Sequence, residues 1–417
     1  MSENLDSGPD NLYRGYEVVI GLEVHTHLRT QSKLFSPAPV RYGDEPNVNT
    51  HPIDLALPGV LPVLNRAVIE LAIRLGLATN STINHRSVFS RKNYFYPDLP
   101  KGYQISQYDE PTVSDGWLEI EVPVKGGERG AVRKKRIGIT RAHLEEDAGK
   151  SIHDAALAGT QTLVDLNRAG VPLLEIVSEP DLRSAAEASA YLKKLRAILR
   201  YIGVSDADME KGQFRCDANV SLRKPGEALG TRTETKNLNS FAYIEAAIGA
   251  EIERQAELLD DGEQVIQATM SFDPATGRTA VMRLKENADD YRYFDDPDLI
   301  PLLIADAEIE AVRASLPELP DAKRDRFESD YGLSRADATT LIASQALAQF
   351  FEDTVAIHAQ PKSVANWIMR DVLQALRYKA VAIEDLALTP RQLASLFALV
   401  DSGLLTVTSG REVFVVS

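Results

Sequence analysis

Along "VVIGLEVHTHL" (18–28) apolar and polar positions alternate, so a strand there has two unlike faces. Val18, Ile20, Leu22, Val24 and Leu28 share one face, and Val19, Gly21, Glu23, His25 and His27 share the other. Short alternating runs recur at 17–28, 117–122, 136–142, 161–166, 173–178, 213–223 and 231–236, separated by Gly, Pro, Asp and Asn. Two segments have helical periodicity instead. One opens with Ser184 and Glu187 in capping-box spacing, carries an apolar stripe from Tyr191 to Ile202, and stops at Gly203. The other spans about 241–259. Strands and helices do not alternate regularly, which argues against a doubly wound parallel sheet. From about residue 305 nearly every segment is helical in period, and the last helix opens with Thr389–Pro390, a cap and first-turn pair. The pattern predicts an α+β fold: a mostly antiparallel sheet domain followed by an all-helical one.

The acidic faces change the picture. In "RCDANVSLR" Arg215, Asp217, Asn219, Ser221 and Arg223 share a face, and in "TRTETK" Arg232, Glu234 and Lys236 do. Glu175 and Glu179 interrupt the apolar run "GVPLLEIVSEPDL", while "RAHLEEDAGKS" ends a strand with Glu145, Glu146 and Asp147. Any one of these could be the wet face of a half-exposed strand. A carboxylate flanked by "PLL" and "IV" nonetheless needs a partner, or its pKa rises until it is neutral. A divalent cation would satisfy several at once, so Glu23, His25, Glu145, Glu146, Glu175 and Asp217 are candidates for one shared site. Oxygen ligands suit Mg²⁺, and an imidazole shifts the preference towards Mn²⁺ or Zn²⁺.

Composition narrows the function. The chain of 417 residues is 44% hydrophobic and 26% charged, as in a folded globular protein, and has no apolar run long enough for a membrane span. One cysteine, Cys216, excludes an internal disulfide and fits a reducing, cytoplasmic setting. The net charge of −15 repels nucleic acid on average, leaving "RKNYFY" (91–96), "RKKR" (133–136) and "KKLR" (193–196) as local basic patches. Such runs are more often solvated faces. There is no P-loop, no dinucleotide fingerprint and no nucleophile arranged to split an amide.

The segments "VIGLEVHTHL", "RKNYFYPDLPKGYQISQYDEP", "RIGITRAHLEEDAGKS", "VDLNRAGVPLLEIVSEPDLRS", "RCDANVSLR" and "MRLKENADDYRYF" closely resemble the GatB/GatE family of the tRNA-dependent amidotransferases. The resemblance implies a catalytic cradle over 16–303, after a disordered leader (1–15), and a helical domain over 304–417 leading into a tRNA-binding tail. The chain stops at "GREVFVVS", where family members commonly continue, so the expected tail is incomplete. It further implies a heterotrimer with an amidase (A) component and a small C component. In that family ATP and Mg²⁺ (or Mn²⁺) serve to phosphorylate the side-chain carboxylate of Glu-tRNA(Gln) or Asp-tRNA(Asn). Ammonia released from glutamine by the amidase then displaces the phosphate. Motif by motif, the metal ligands fall at Glu23, His25, Glu146 and Glu175, with Glu145 and Asp217 in or beside that shell. Lys92 and Lys236 are expected at phosphate, as are Arg215 and Arg292. His27 is expected to be a solvated strand position. The segment 91–108 is either a contact for the nucleotide or tRNA end or simply a packed aromatic loop. A non-catalytic tRNA-binding scaffold and a free-standing metallohydrolase are the competing functions.

Overall fold

The computed structural model describes residues 12–123, 131–153, 161–284, 288–406 and 408–410. The alternating segment becomes strand β1 (Tyr16–His27), which lies inside a large twisted sheet. The elements that matter for the site are α1 (Ala67–Ala78), β2 (Ser90–Asn93), β3 (Tyr103–Ser106), β4 (Val113–Pro123), β5 (Val132–Glu146) and β6 (Pro172–Ser178). They are followed by α2 (Ala185–Tyr201), β7 (Phe214–Arg223), β8 (Thr233–Leu238), α3 (Phe241–Asp260), β9 (Ala268–Asp273) and β10 (Arg278–Leu284). The strand order is β10-β9-β8-β7-β1-β6-β5-β4, closed by the short strand Thr82–Ile83, with Leu12–Tyr13 paired onto β1. The disordered leader expected over 1–15 therefore does not reach Leu12; residues 1–11 lie outside those described. Every pairing in it is antiparallel except β8 with β9.

The apolar face of this sheet is the core. Val18, Ile20, Leu22 and Val24 are buried, as are Cys216, Ala218, Val220 and Leu222 across from them on β7. α2 and α3 cover that face: Tyr191 sits against Cys216, and Gln255 donates to the Val220 carbonyl at 3.0 Å. Cys216 is a small buried hydrophobe, its thiol pKa pushed well up by burial. Ser184 caps α2 by accepting from the Glu187 amide at 3.2 Å. The expected return bond of the capping box is replaced. The buried Glu187 carboxylate instead takes the Arg183 amide (2.8 Å), Arg133 (2.6 Å) and Lys135 (2.7 Å).

Several cations of the basic runs have partners within the fold. In "RKKR", Lys134 pairs with Glu119 and Arg136 stacks over Trp117. Arg91 is held by Asp296 and Asp298, and Lys193 lies 3.7 Å from Glu245. As expected of solvated faces, Arg133, Lys134, Arg136 and Lys193 are exposed, and acids on neighbouring elements pair with Arg133, Lys134 and Lys193.

The chain divides into two compact units, Met1–Leu316 and Pro317–Ser417, later than the boundary expected at 303. The reason is local. Helix α4 (Asp306–Ser315) packs on α1, with Arg66 bonded to Glu308 at 2.9 Å and Arg74 to Ser315 at 3.1 Å. The second unit is helical, around Phe327, Leu341, Phe351, Val364, Ile368, Leu393 and Phe397. Two short helices follow one another there: Arg335–Leu341 ends, and Ser344 caps a new start, Gln345–Ile357. In helix Pro390–Asp401 Thr389 and Gln392 form both bonds of a capping box. Thr389→Ala should cost about 1 kcal/mol, seen as a lower urea midpoint at unchanged slope. No helix among the described residues is long and apolar enough to cross a membrane.

Candidate metal and phosphate site

Register decides what the polar face assembles. On β1, His25 lies opposite Glu175 of β6 on one side and Arg215 of β7 on the other. Glu175 in turn lies opposite His143 of β5. Two residues away, Glu23 faces Asp217 of β7. Because directly paired residues point to the same side, these groups form rows across four strands on the face away from α2 and α3.

The acids fall into two groups. In the first, His25, Glu145 and Glu175 each offer a ligand atom, all within 4.8 Å of one another. His25 Nε2 is 3.1 Å from Glu175 and 3.8 Å from Glu145. His143 Nε2 is 3.6 Å and 3.7 Å from the same two carboxylates. Arg141 Nε donates to His143 Nδ1 at 3.3 Å, with Nε2 turned to the acids. Ser106 donates to Glu145 at 3.2 Å. The second group is Glu23, Asp217 and Glu234, again within 4.8 Å. Asn219 donates to Glu23 at 2.9 Å, and Lys236 lies 2.6 Å from Asp217 and 3.2 Å from Glu234.

The electrostatics differ between the groups. Burial works against ionisation of Glu175, but His143, His25 and Lys92 outweigh it and hold its pKa well below the usual range. Burial would lower the His25 imidazole too; the Glu175 hydrogen bond and the Glu175, Glu145 and Asp217 charges raise it to about 9. Glu23 goes the other way. Burial and the charges of Glu175, Glu234 and Asp217 push its pKa up, and Lys236 only partly offsets them. The Glu23 group is short of positive charge, which a bound cation would supply; the His25 group offers two carboxylates and an imidazole, a donor set that fits a divalent ion once the ring is neutral.

A cavity of about 560 Å³ opens over both groups, lined by Glu23, His25, Glu175, Glu234, Lys92 and Lys236. Lys92 reaches in from β2 with its ammonium 4.7 Å from the Tyr291 ring centroid. Burial disfavours the charge of Lys92, but Tyr293, Glu145 and Glu175 raise its pKa, so it remains an ammonium. Asp217 and Glu234 do the same for Lys236 against its own burial.

Several expected residues are placed differently. The six candidates for one ion are split, with Glu23 and Asp217 in one group and His25, Glu145 and Glu175 in the other. Glu146 belongs to neither. It alternates away from Glu145, accepts from the Ile105 amide at 2.9 Å and pairs with Lys101. Arg215 turns to Asp147, at 3.0 Å. Arg292 is exposed, and its carbonyl accepts from Asn93 at 2.8 Å. His27 is only partly exposed, and its ring is bonded to the buried Asp147 at 2.8 Å. Two residues of the site, His143 and Glu234, are not among the six. Each has a signal in strand alternation, two residues from Glu145 and from Lys236 respectively.

Comparison with known proteins places this geometry. A family model described as the GatB/GatE catalytic domain matches residues 18–310, and one described as a GatB domain matches 349–416. A protein from Geotalea uraniireducens (strain Rf4) is 55% identical over 401 residues, covering 96% of this chain and 82% of its own length. One from Psychrobacter arcticus is 53% identical over 411 residues, covering 98% and 80%. Both are named as the B component of aspartyl/glutamyl-tRNA(Asn/Gln) amidotransferase.

Proposed function

Because this chain belongs to the GatB/GatE catalytic family, we propose that it is the carboxylate-activating subunit of a tRNA amidotransferase. In this reading it is an ATP-dependent carbon–nitrogen ligase with glutamine as amide donor. The observation that carries it is the pair of acid groups lying side by side on one sheet face, with Lys92 and Lys236 in the same cavity.

The reaction has two steps. A side-chain carboxylate oxygen of Glu-tRNA(Gln) or Asp-tRNA(Asn) bonds to the γ-phosphorus of ATP, and the bond to ADP breaks. Ammonia then attacks the acyl carbon, phosphate leaves, and the amide loses a proton. His25, Glu145 and Glu175, and Glu23, Asp217 and Glu234, would hold Mg²⁺ or Mn²⁺. Such a cation neutralises charge on the phosphoryl group being transferred. Lys92 and Lys236 supply fixed ammonium donors to phosphoryl oxygens, doing from strands what a P-loop does from a helix N-terminus. Ammonia comes from an amidase partner, assembled with a small third component. That division of labour fits a sequence with no amide-splitting nucleophile.

The test is reconstitution with both partner proteins, ATP, glutamine and each misacylated tRNA. ADP should form only with a misacylated tRNA present. Tight tRNA binding with no ATP consumed would favour the scaffold function instead. A second expectation concerns protons. His25 carries one at neutral pH in the free site, and a metal needs the neutral ring. Mn²⁺ binding should therefore release a proton at pH 7 and tighten as pH rises towards 9. Calorimetry in buffers of different ionisation heat would detect this. A heat independent of the buffer would remove His25 from the ligand set.

A further inference from the structure

We propose that Phe95, with Tyr96 beside it, is a stacking platform for the terminal base of the tRNA 3′ end. The inference rests on the function proposed above and adds the part of the substrate that lies outside the acids. Both rings belong to the loop joining β2 to β3, and both line the cavity that holds Glu175 and Lys92. Phe95 is 78% exposed and Tyr96 is 56% exposed, while the rest of the loop is tied down by its own backbone. The Tyr94 amide bonds to the Gly102 carbonyl, the Leu99 amide to the Tyr96 carbonyl, and the Gly102 amide to the Leu99 carbonyl.

Phe95 is presented rather than merely exposed. Its ring lies against the backbone of Gly102, where a Cβ would stand 3.1 Å and 3.3 Å from two ring atoms. Gly102 has φ +74°, a conformation that also favours glycine. One side of the ring is therefore supported by the far strand of the loop, with most of the ring open to solvent. In the same loop Tyr94 packs edge-on to Tyr96 and to Tyr291, at 5.9 Å and 6.3 Å between centroids. A single exposed aromatic needs no explanation. Two adjacent ones lining a charged cavity, Phe95 against a glycine and Tyr96 against Tyr94, are a surface for a flat π-system.

The geometry of the substrate selects the occupant. In a glutamyl ester the reacting carboxyl carbon lies only about 5 Å from the ester carbonyl, four bonds of about 1.5 Å folded as a zigzag. With that carboxylate at the acids, the terminal ribose sits within the cavity and its base falls at the rim. Single-stranded RNA ends are held by aromatic stacking together with cations along the backbone. Lys92 and Arg283 line the same cavity.

The test uses the assembled three-component enzyme with Phe95→Ala and Phe95→Tyr. Binding of deacylated tRNA is titrated without ATP, and KM for ATP is measured separately with misacylated tRNA. Loss of one stacked base should raise the tRNA Kd about tenfold in Phe95→Ala, whereas Phe95→Tyr stays within about twofold of the unmodified enzyme. KM for ATP should not move in either. Unchanged tRNA affinity in Phe95→Ala overturns the proposal, as does absence of tRNA binding by the unmodified enzyme. Equal weakening by both variants would reduce Phe95 to loop packing. A raised KM for ATP with unchanged tRNA Kd would give the ring to the adenine of ATP instead. Ring-dependent tRNA binding in an enzyme that consumes no ATP would keep the platform and reject the catalytic function on which it was built.

Discussion

Glu175→Gln in the assembled enzyme is expected to lower tRNA-dependent ATP turnover at least about a hundredfold, with little change in folding. Glu175 is the residue through which the first acid group is organised. It accepts from His25 at 3.1 Å, lies 3.6 Å from His143, and is kept ionised by both rings and Lys92 against its own burial. The amide is nearly the same shape, so β6 keeps its place between β1 and β5. What goes is one of the negative charges that would hold a cation and fix the His25 ring. The predicted signature is therefore joint: Mn²⁺ affinity falls, turnover falls, and the melting temperature stays close to that of the unmodified chain. Normal turnover in Glu175→Gln would remove this group of residues from the chemistry.

Asp147→Ala should be strongly destabilising although it lies outside the apolar core. Asp147 is buried at the end of β5, where His27 of β1, Arg215 of β7 and Arg168 converge on its Oδ2 at 2.8, 3.0 and 3.4 Å. Burial disfavours its charge, but Arg215, Arg168 and His27 outweigh that and drive its pKa far below the usual range. Removing it strands the Arg215 guanidinium and the His27 imidazole, while Arg168 keeps the Ala148 and Gly149 carbonyls at 2.9 and 2.6 Å. Breaking a buried pair costs about 3–5 kcal/mol, and the lower figure applies here because both arginines reach solvent. About 3 kcal/mol corresponds to a fall in melting temperature of roughly 4–5 °C in a unit of this size. The sign of the pH effect follows from the lowered pKa. The folded state binds the Asp147 proton less readily than the unfolded chain. Its contribution is thus complete well above the unfolded value of about 3.9 and is lost as pH falls through that value towards the folded one. The stability gap between the native chain and Asp147→Asn should accordingly narrow from about pH 5 downwards. A gap that is constant or widens over that range would mean that Asp147 contributes by packing rather than by charge.

Much of the site is legible in the sequence because β strands announce their faces. The two-residue period separates Glu23 and His25 from Val24 without any knowledge of partners, and the same rule places Asp217 opposite Cys216's face. Glu146 is misplaced by its motif, because it adjoins Glu145 there and adjacency hides that neighbours on a strand point to opposite sides. His27 misleads for a related reason. Its burial comes from Asp147, 120 residues away in the chain, and nothing local foretells that meeting. The basic runs look available for RNA because a sequence displays cations without the acids folded against them. For "RKKR" those acids are Glu119 and Glu187, on two different elements.

By itself the chain determined which residues could be buried, which faces were acidic, where helices start, and to which family it belongs. These depend on side-chain period, caps and motif identity, all local or linear properties. Only the tertiary structure decided that the acids form two groups rather than one, that His143 and Glu234 join them, and that Glu146 does not. Those outcomes depend on strand order and register, since what lies opposite a residue is set by how β5, β6, β1, β7 and β8 are aligned. A shift of one residue between any two of them would send each acid to the other side of the sheet.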